Sequence, residues 1–208
     1  MMSYCSWALH DELLNKAYHN TEWGVPLKDD QKQFEFLSLE VMQCGLSWTL
    51  VLKKRAVLQA CFDNFDYEKI ASYTEADVER IISAEGMIRS AAKIRAIIGN
   101  ARQFIKIRSE FGSFSNYLWR YSGGKTILYN KHSEGYIPAS NGLSDTISRD
   151  LKKRGFKYLG SVTVYSHLQA CGIINDHGQN CPRYHEINEN YPTVTKRRYK
   201  ERNINKFD

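Results

Sequence analysis

Apolar residues recur at three- and four-residue intervals through most of this chain, and the breaks fall at glycines, prolines and capping residues. Asp29 and Asp30 precede Phe34, Leu37 and Val41, which predicts a helix opening on acidic residues. Gly45 can end that helix in a left-handed cap, and Ser47 can start the next, over 47–62, with Trp48, Val51, Leu52, Leu58 and Phe62 on one face. Thr74 and Asp77 make a capping-box pattern ahead of Val78, Ile81 and Ile82, closing near Gly86. A longer helix is predicted over 90–110, its stripe formed by Ile94, Ile97, Ile98, Ala101 and Ile105. A short aromatic helix follows over 114–121, and the last two clear helices fall at 144–154 and 161–170. Ahead of those two, 122–142 is the least periodic stretch and reads as a loop or lobe boundary. No alternating pattern flanks a hairpin turn and no repeat is present, so the expected class is all-α.

Composition narrows this picture. The 208 residues are 42% apolar and 25% charged, enough for one domain or two small lobes around a cleft, and too apolar for a disordered chain. The net charge of +6 allows a polyanionic partner such as nucleic acid. Much of that excess is terminal. Lys196, Arg197, Arg198, Lys200, Arg202 and Lys206 face only Glu201 and Asp208 across 195–208, so 182–208 is expected to be a solvated basic tail beyond a domain spanning 1–181. No run of 18 apolar residues predicts a membrane span, and the N-terminus carries acidic residues where a signal peptide would be apolar. Five cysteines without framework spacing suit a reducing cytoplasm, with a monomer as the default state.

Three places could carry chemistry. Glu40 and Trp48 would flank the corner at Gly45, an acid and an indole face suited to a flat, electron-poor ligand; the plainer alternative is a solvated acid and a core tryptophan. Gly155-Phe-Lys-Tyr-Leu-Gly160 lies between the last two helices and follows Lys152, Lys153 and Arg154. Its two glycines permit positive φ, and the turn leads into the N-terminus at Ser161, where free N–H groups favour an anion such as a DNA phosphate. An ordinary helical corner with a basic rim has the same composition. Lastly, Cys5, His19, His177 and Cys181 supply two thiols and two imidazoles, a donor set for structural zinc, although five cysteines and six histidines offer other pairings. Cys44, Cys61 and Cys171 lie in or beside apolar stretches and read as core residues, and no histidine is placed in sequence to activate Cys44.

Taken together, several strings resemble the DNA-3-methyladenine glycosylase I family of the helix-hairpin-helix DNA glycosylase superfamily. They are Tyr18-His-Asn-Thr-Glu-Trp-Gly-Val-Pro26, Leu39-Glu to Gly45-Leu-Ser-Trp48, Val51-Leu-Lys-Lys-Arg55, Lys93 through Asn100-Ala-Arg102, Leu151-Lys-Lys-Arg-Gly-Phe-Lys-Tyr158, Gln169-Ala-Cys-Gly172 and Asn175-Asp-His177. The resemblance covers about residues 5–181. It implies a helical bundle whose N- and C-terminal segments are joined by zinc on Cys5, His19, His177 and Cys181. It also implies an enzyme that flips an alkylated adenine from double-stranded DNA and hydrolyses its glycosidic bond. On the same basis Glu40 is the pocket carboxylate, and Tyr18, Trp23, Trp48 and Trp7 are the aromatic walls. The hairpin residues Gly155, Lys157, Gly160 and Ser161 would hold the DNA backbone, and no lysine is evident for a lyase step. The chain departs from the family pattern at Asn20, where the family often has Asp, and at Leu14-Asn15, where many members place a second pocket tyrosine. Val41-Met42 also replaces smaller or more polar neighbours of the glutamate.

Overall fold

The computed structural model describes residues 4–9, 13–130 and 132–196. Its first four helices are α1 (Leu14–Thr21), α2 (Asp30–Gln43), α3 (Trp48–Cys61) and α4 (Tyr67–Ala71). They are followed by α5 (Glu75–Ser83), α6 (Ala91–Phe111), α7 (Phe114–Trp119), α8 (Gly142–Lys153), α9 (Ser161–Ala170) and α10 (Pro182–Asn190). Capping explains most of the boundaries. Asp29 accepts from the Lys32 N–H at 2.7 Å, Ser47 accepts from the Leu50 N–H at 3.3 Å, and Thr74 and Asp77 close a capping box. Gly45 has φ +79°, so α2 turns sharply into α3 as the sequence predicts.

The long helix α6 is the central strut, packed against α2, α4, α5 and α7. Its stripe of Ile94, Ile97, Ala101 and Phe104 is fully buried and continues through Ile107, while Ile105 lies at the edge. α2 is buried along nearly its whole length, from Gln33 to Met42, which is how it can carry an acid into the interior.

Two expectations need correction. The fold is helical but also holds β1 (Thr126–Tyr129) and β2 (Thr193–Lys196), a parallel pair in register from Thr126↔Thr193 to Tyr129↔Lys196. β1 lies inside the stretch taken for a loop; four residues are too few to show an alternating pattern. Residues 182–196 are therefore not a frayed tail: Pro182 starts α10, Ile187 is buried, and β2 returns to the body. The remaining basic residues, 197–208, lie outside the described residues.

Among the described buried polar residues, one stands without any hydrogen-bond partner on its ring. His167 on α9 is buried with neither ring nitrogen hydrogen-bonded, and burial pushes its pKa down to about 3. The unfolded chain binds this proton near pH 6.5 and the folded chain does not. Stability is thus expected to fall as pH drops below about 6.5, at up to about 1.4 kcal/mol per pH unit from this residue. His167→Leu should flatten that dependence between pH 4 and 6.5, as measured by urea unfolding across pH.

Candidate active site and metal cluster

Glu40 occupies the last turn of α2, 5% exposed, and its Oε2 has no hydrogen-bond partner. Burial alone pushes its pKa up to about 8, with no cation offsetting it. Trp48 starts α3 across the Gly45 corner, and its Nε1 is likewise buried and unpartnered. An unpaired buried polar group costs roughly 1–3 kcal/mol, and a site that keeps two of them retains bonding capacity for something else.

Aromatic rings extend from this corner. Trp48 and Tyr18 lie with ring centroids 5.1 Å apart, Tyr18 and Trp7 at 6.4 Å, and Trp7 and Trp23 at 5.0 Å. Tyr18 is buried, and desolvation first and the Glu40 charge second hold its phenol well above the usual range. Tyr18, Trp7, Trp48 and Glu40 thus gather around one place. Trp23 reaches further, edge-on to His177 at 4.5 Å and stacked over His19 at 6.1 Å, so it joins the aromatic row to the metal cluster.

Cys5, His19, His177 and Cys181 converge, their ligand atoms all within 4.8 Å of one another. His19 Nε2 is 3.1 Å from His177 Nδ1, and Cys181 Sγ is 3.6 and 3.7 Å from those two nitrogens; Cys5 Sγ is 3.7 Å from His177 Nδ1. Zinc bonds of ordinary length give tetrahedral edges of about 3.3–3.8 Å; three of these four separations lie in that range and the His19–His177 one just below it, so the donor set suits the ion. The outer nitrogens are also spoken for. His19 Nδ1 lies 2.7 Å from Asn20 Oδ1 and His177 Nε2 lies 3.1 Å from the Trp23 carbonyl, which leaves a lone pair on each inner nitrogen. Asn20 therefore does for His19 what an aspartate would, without the charge.

The hairpin differs from expectation in detail. Gly155 has φ +92°, but Gly160 has φ −67°, and the second left-handed residue is Tyr158 at φ +62°. Arg154 is committed to Glu110 and Asp150. Ser161 Oγ is engaged by Ser144 at 2.9 Å and by Asp145, so its hydroxyl is already used within the protein. Lys152, Lys153 and Lys157 remain exposed beside the N-terminus of α9. The cysteine alternatives lose ground: burial pushes Cys171 up to about 12, and Cys44 Sγ meets Glu40 O, Tyr158 O and Thr163 Oγ1 rather than a base.

Sequence reasoning missed the groups that hold this site. Asn15, at the position lacking the expected tyrosine, is buried and bonds Thr49 Oγ1 at 3.0 Å and the Trp7 carbonyl at 3.4 Å. Arg55 forks onto both oxygens of Glu22 at 2.7 Å and reaches Glu35 at 2.7 Å, tying the segment beside Trp23 to α2 and α3. Both lie in or near matched strings, but only proximity reveals their partners.

Residues 7–184 match the methyladenine glycosylase family model. The chain is 44% identical over 183 residues to DNA-3-methyladenine glycosylase 1 of Escherichia coli K12, covering 88% of this chain and 97% of that protein. It is 36% identical to the DNA-3-methyladenine glycosylase of Haemophilus influenzae, over 88% of this chain and 98% of that one. Among solved structures, 3-methyladenine DNA glycosylase I from Staphylococcus aureus, described for its recognition of 3-methyladenine, superposes with a TM-score of 0.81 at 36% identity, covering 87% of this chain and 96% of that one.

The raised Glu40 pKa carries a stability consequence. The unfolded chain loses this proton near pH 4.5 and the folded chain near 8, so stability contributed by the neutral acid is lost as pH rises through that window. Glu40→Gln should match wild type at pH 4 and exceed it by a few kcal/mol at pH 8, measured by chemical denaturation.

Proposed function

This chain belongs to the methyladenine glycosylase family, and from that premise we propose how its own residues excise 3-methyladenine from alkylated DNA in base-excision repair. The observation that carries the reading is the buried, unpaired carboxyl of Glu40 beside Tyr18 and Trp48. Alkylation at N3 makes the purine cationic and weakens its bond to the sugar, so the base is already a good leaving group. Trp48 and Tyr18 offer electron-rich faces that favour a cationic ring over neutral adenine by roughly 0.5–2 kcal/mol per well-placed contact. Glu40 accepts hydrogen bonds from the amino edge of the purine. The positive charge of the bound purine lowers the pKa of Glu40, whose proton is released to solvent, converting an uncompensated buried group into a charge-paired one.

Flipping costs a few kcal/mol, less for a damaged base. Gly155, Lys157, Gly160 and the backbone amides at Ser161 grip the phosphates while the duplex is held open. Glu40 recognises the base and does not need to activate a strong nucleophile. The buried lysine near the corner, Lys93, is bound to two backbone carbonyls, which supports a hydrolase without a lyase step. Cys5, His19, His177 and Cys181 hold a structural zinc ion that clips the chain ends together, and four protein donors leave no position for substrate. Among the described residues no helix is long and apolar enough to cross a membrane; the five cysteines form no disulfide, which suits a reducing compartment such as the cytoplasm.

Incubation with methylated duplex DNA should release free 3-methyladenine, identified chromatographically. Glu40→Gln should cut the release rate by about a hundredfold while changing affinity for duplex DNA little. Equal release by wild type and variant would overturn the role given to Glu40. Purified protein should carry one zinc per chain, and chelation should lower Tm; a metal-free protein of unchanged Tm would remove the zinc.

A further inference from the structure

α6 touches both halves of the machinery through two buried polar residues, Lys93 near its start and Asn100 at its middle. Lys93, 9% exposed, donates from Nζ to the Met42 carbonyl at 2.8 Å and the Cys44 carbonyl at 2.6 Å. It thereby satisfies the open end of α2 and puts a cation at the negative pole of that helix, one turn from Glu40. Asn100, 1% exposed, bonds both backbone groups of one hairpin residue: Oδ1 accepts from the Lys157 N–H at 2.8 Å and Nδ2 donates to the Lys157 carbonyl at 3.0 Å. The two residues are seven apart on one helix, so they share a face about 10 Å apart along the axis.

The hairpin does not need Asn100 to close. Phe156 N–H bonds Leu151 O at 3.0 Å, Gly155 N–H bonds Lys152 O at 3.0 Å, and Ser148 Oγ bonds Leu159 O at 2.8 Å. What Asn100 adds is the position of the turn against α6. The contacts that Cys44 makes from the corner, to Tyr158 O at 3.9 Å and Thr163 Oγ1 at 3.8 Å, are weak sulfur contacts by comparison. We propose that α6 is the spacer setting the base pocket at a fixed distance from the DNA grip, with Asn100 as the positioning residue on the grip side and Lys93 on the pocket side. This rests on the glycosylase reading above.

A positioning role predicts separable losses. In Asn100→Ala the pocket is intact, so affinity for free 3-methyladenine, read by tryptophan fluorescence, should be unchanged. The single-turnover rate of release from methylated duplex should fall by about ten- to a hundredfold, because the extruded base no longer meets the pocket in register. Affinity for duplex bearing an abasic-site analogue should fall with it. Lys93→Met should instead weaken free-base binding and excision together. Asn100→Asp, which keeps the acceptor and loses the donor, should be intermediate, and it decides the same comparison should the alanine variant not fold. Unchanged excision in Asn100→Ala, or equal losses in free-base binding and excision, would overturn the proposal. Absence of base release by wild type would instead overturn the glycosylase reading itself, so the two failures are distinguishable.

Discussion

A carboxyl held in the interior without a counter-charge is the constraint around which this molecule is organised. Glu40 sits in the last turn of a helix buried on nearly every side, and its pKa of about 8 records what desolvation costs the ionised form. Such a residue persists only when its surroundings cannot relax to hydrate it or pair it. Here α2 cannot retreat: its N-terminus is capped by Asp29, Lys93 takes its last carbonyls, and Glu35 is locked to Arg55. Arg55, the cation that packs against α2, is committed to Glu22 and Glu35 through one bidentate and one single contact.

The Cys5, His19, His177 and Cys181 cluster lies beside the same aromatic residues. Cys5 precedes the short turn bearing Trp7, His19 follows Tyr18 directly, and Trp23 gives its carbonyl to His177. Three of the four aromatic residues around the pocket are therefore within a few residues of a ligand or bonded to one. Cys5 and His177 are 172 residues apart, and a metal joining them would close a long loop. With the proposed zinc bound, that closure beside Trp7, Tyr18 and Trp23 would also frame the aromatic site, since each ligand would fix the backbone that aims a ring.

Much of this was legible in the chain. The Gly45 corner, the caps at Asp29, Ser47, Thr74 and Ser90, and the α6 stripe all follow from local rules, because each involves residues within one turn of each other. The family strings then named Glu40, the aromatics and the four donors. What escaped was either too short or too distant. α1 has eight residues and no side-chain cap, α10 buries only Ile187, and β1 pairs with a strand more than sixty residues later. Asn15, Lys93 and Asn100 have side chains that look solvated in sequence and are buried because their partners arrive from elsewhere. The second left-handed residue of the hairpin fell on Tyr158 rather than Gly160, which shows that a glycine permits a conformation without requiring it.

On the function proposed above, the protonation state of Glu40 would turn the cost of burial into selectivity. At neutral pH the empty site holds mostly the acid form, a modest hydrogen-bond partner that any adenine could use. Only a ligand bearing positive charge repays ionisation, because the Coulomb attraction missing from the empty pocket is then supplied by the ligand. Neutral adenine must either accept the acid form, forgoing the charge-assisted bond, or ionise Glu40 against its desolvation penalty. Each pKa unit by which burial raises the acid is about 1.4 kcal/mol that a neutral ligand cannot recover. On that proposal, a buried and unpaired carboxyl discriminates by charge. The tightness with which α2 is held follows from that requirement, since a pocket able to hydrate its acid would lose the distinction.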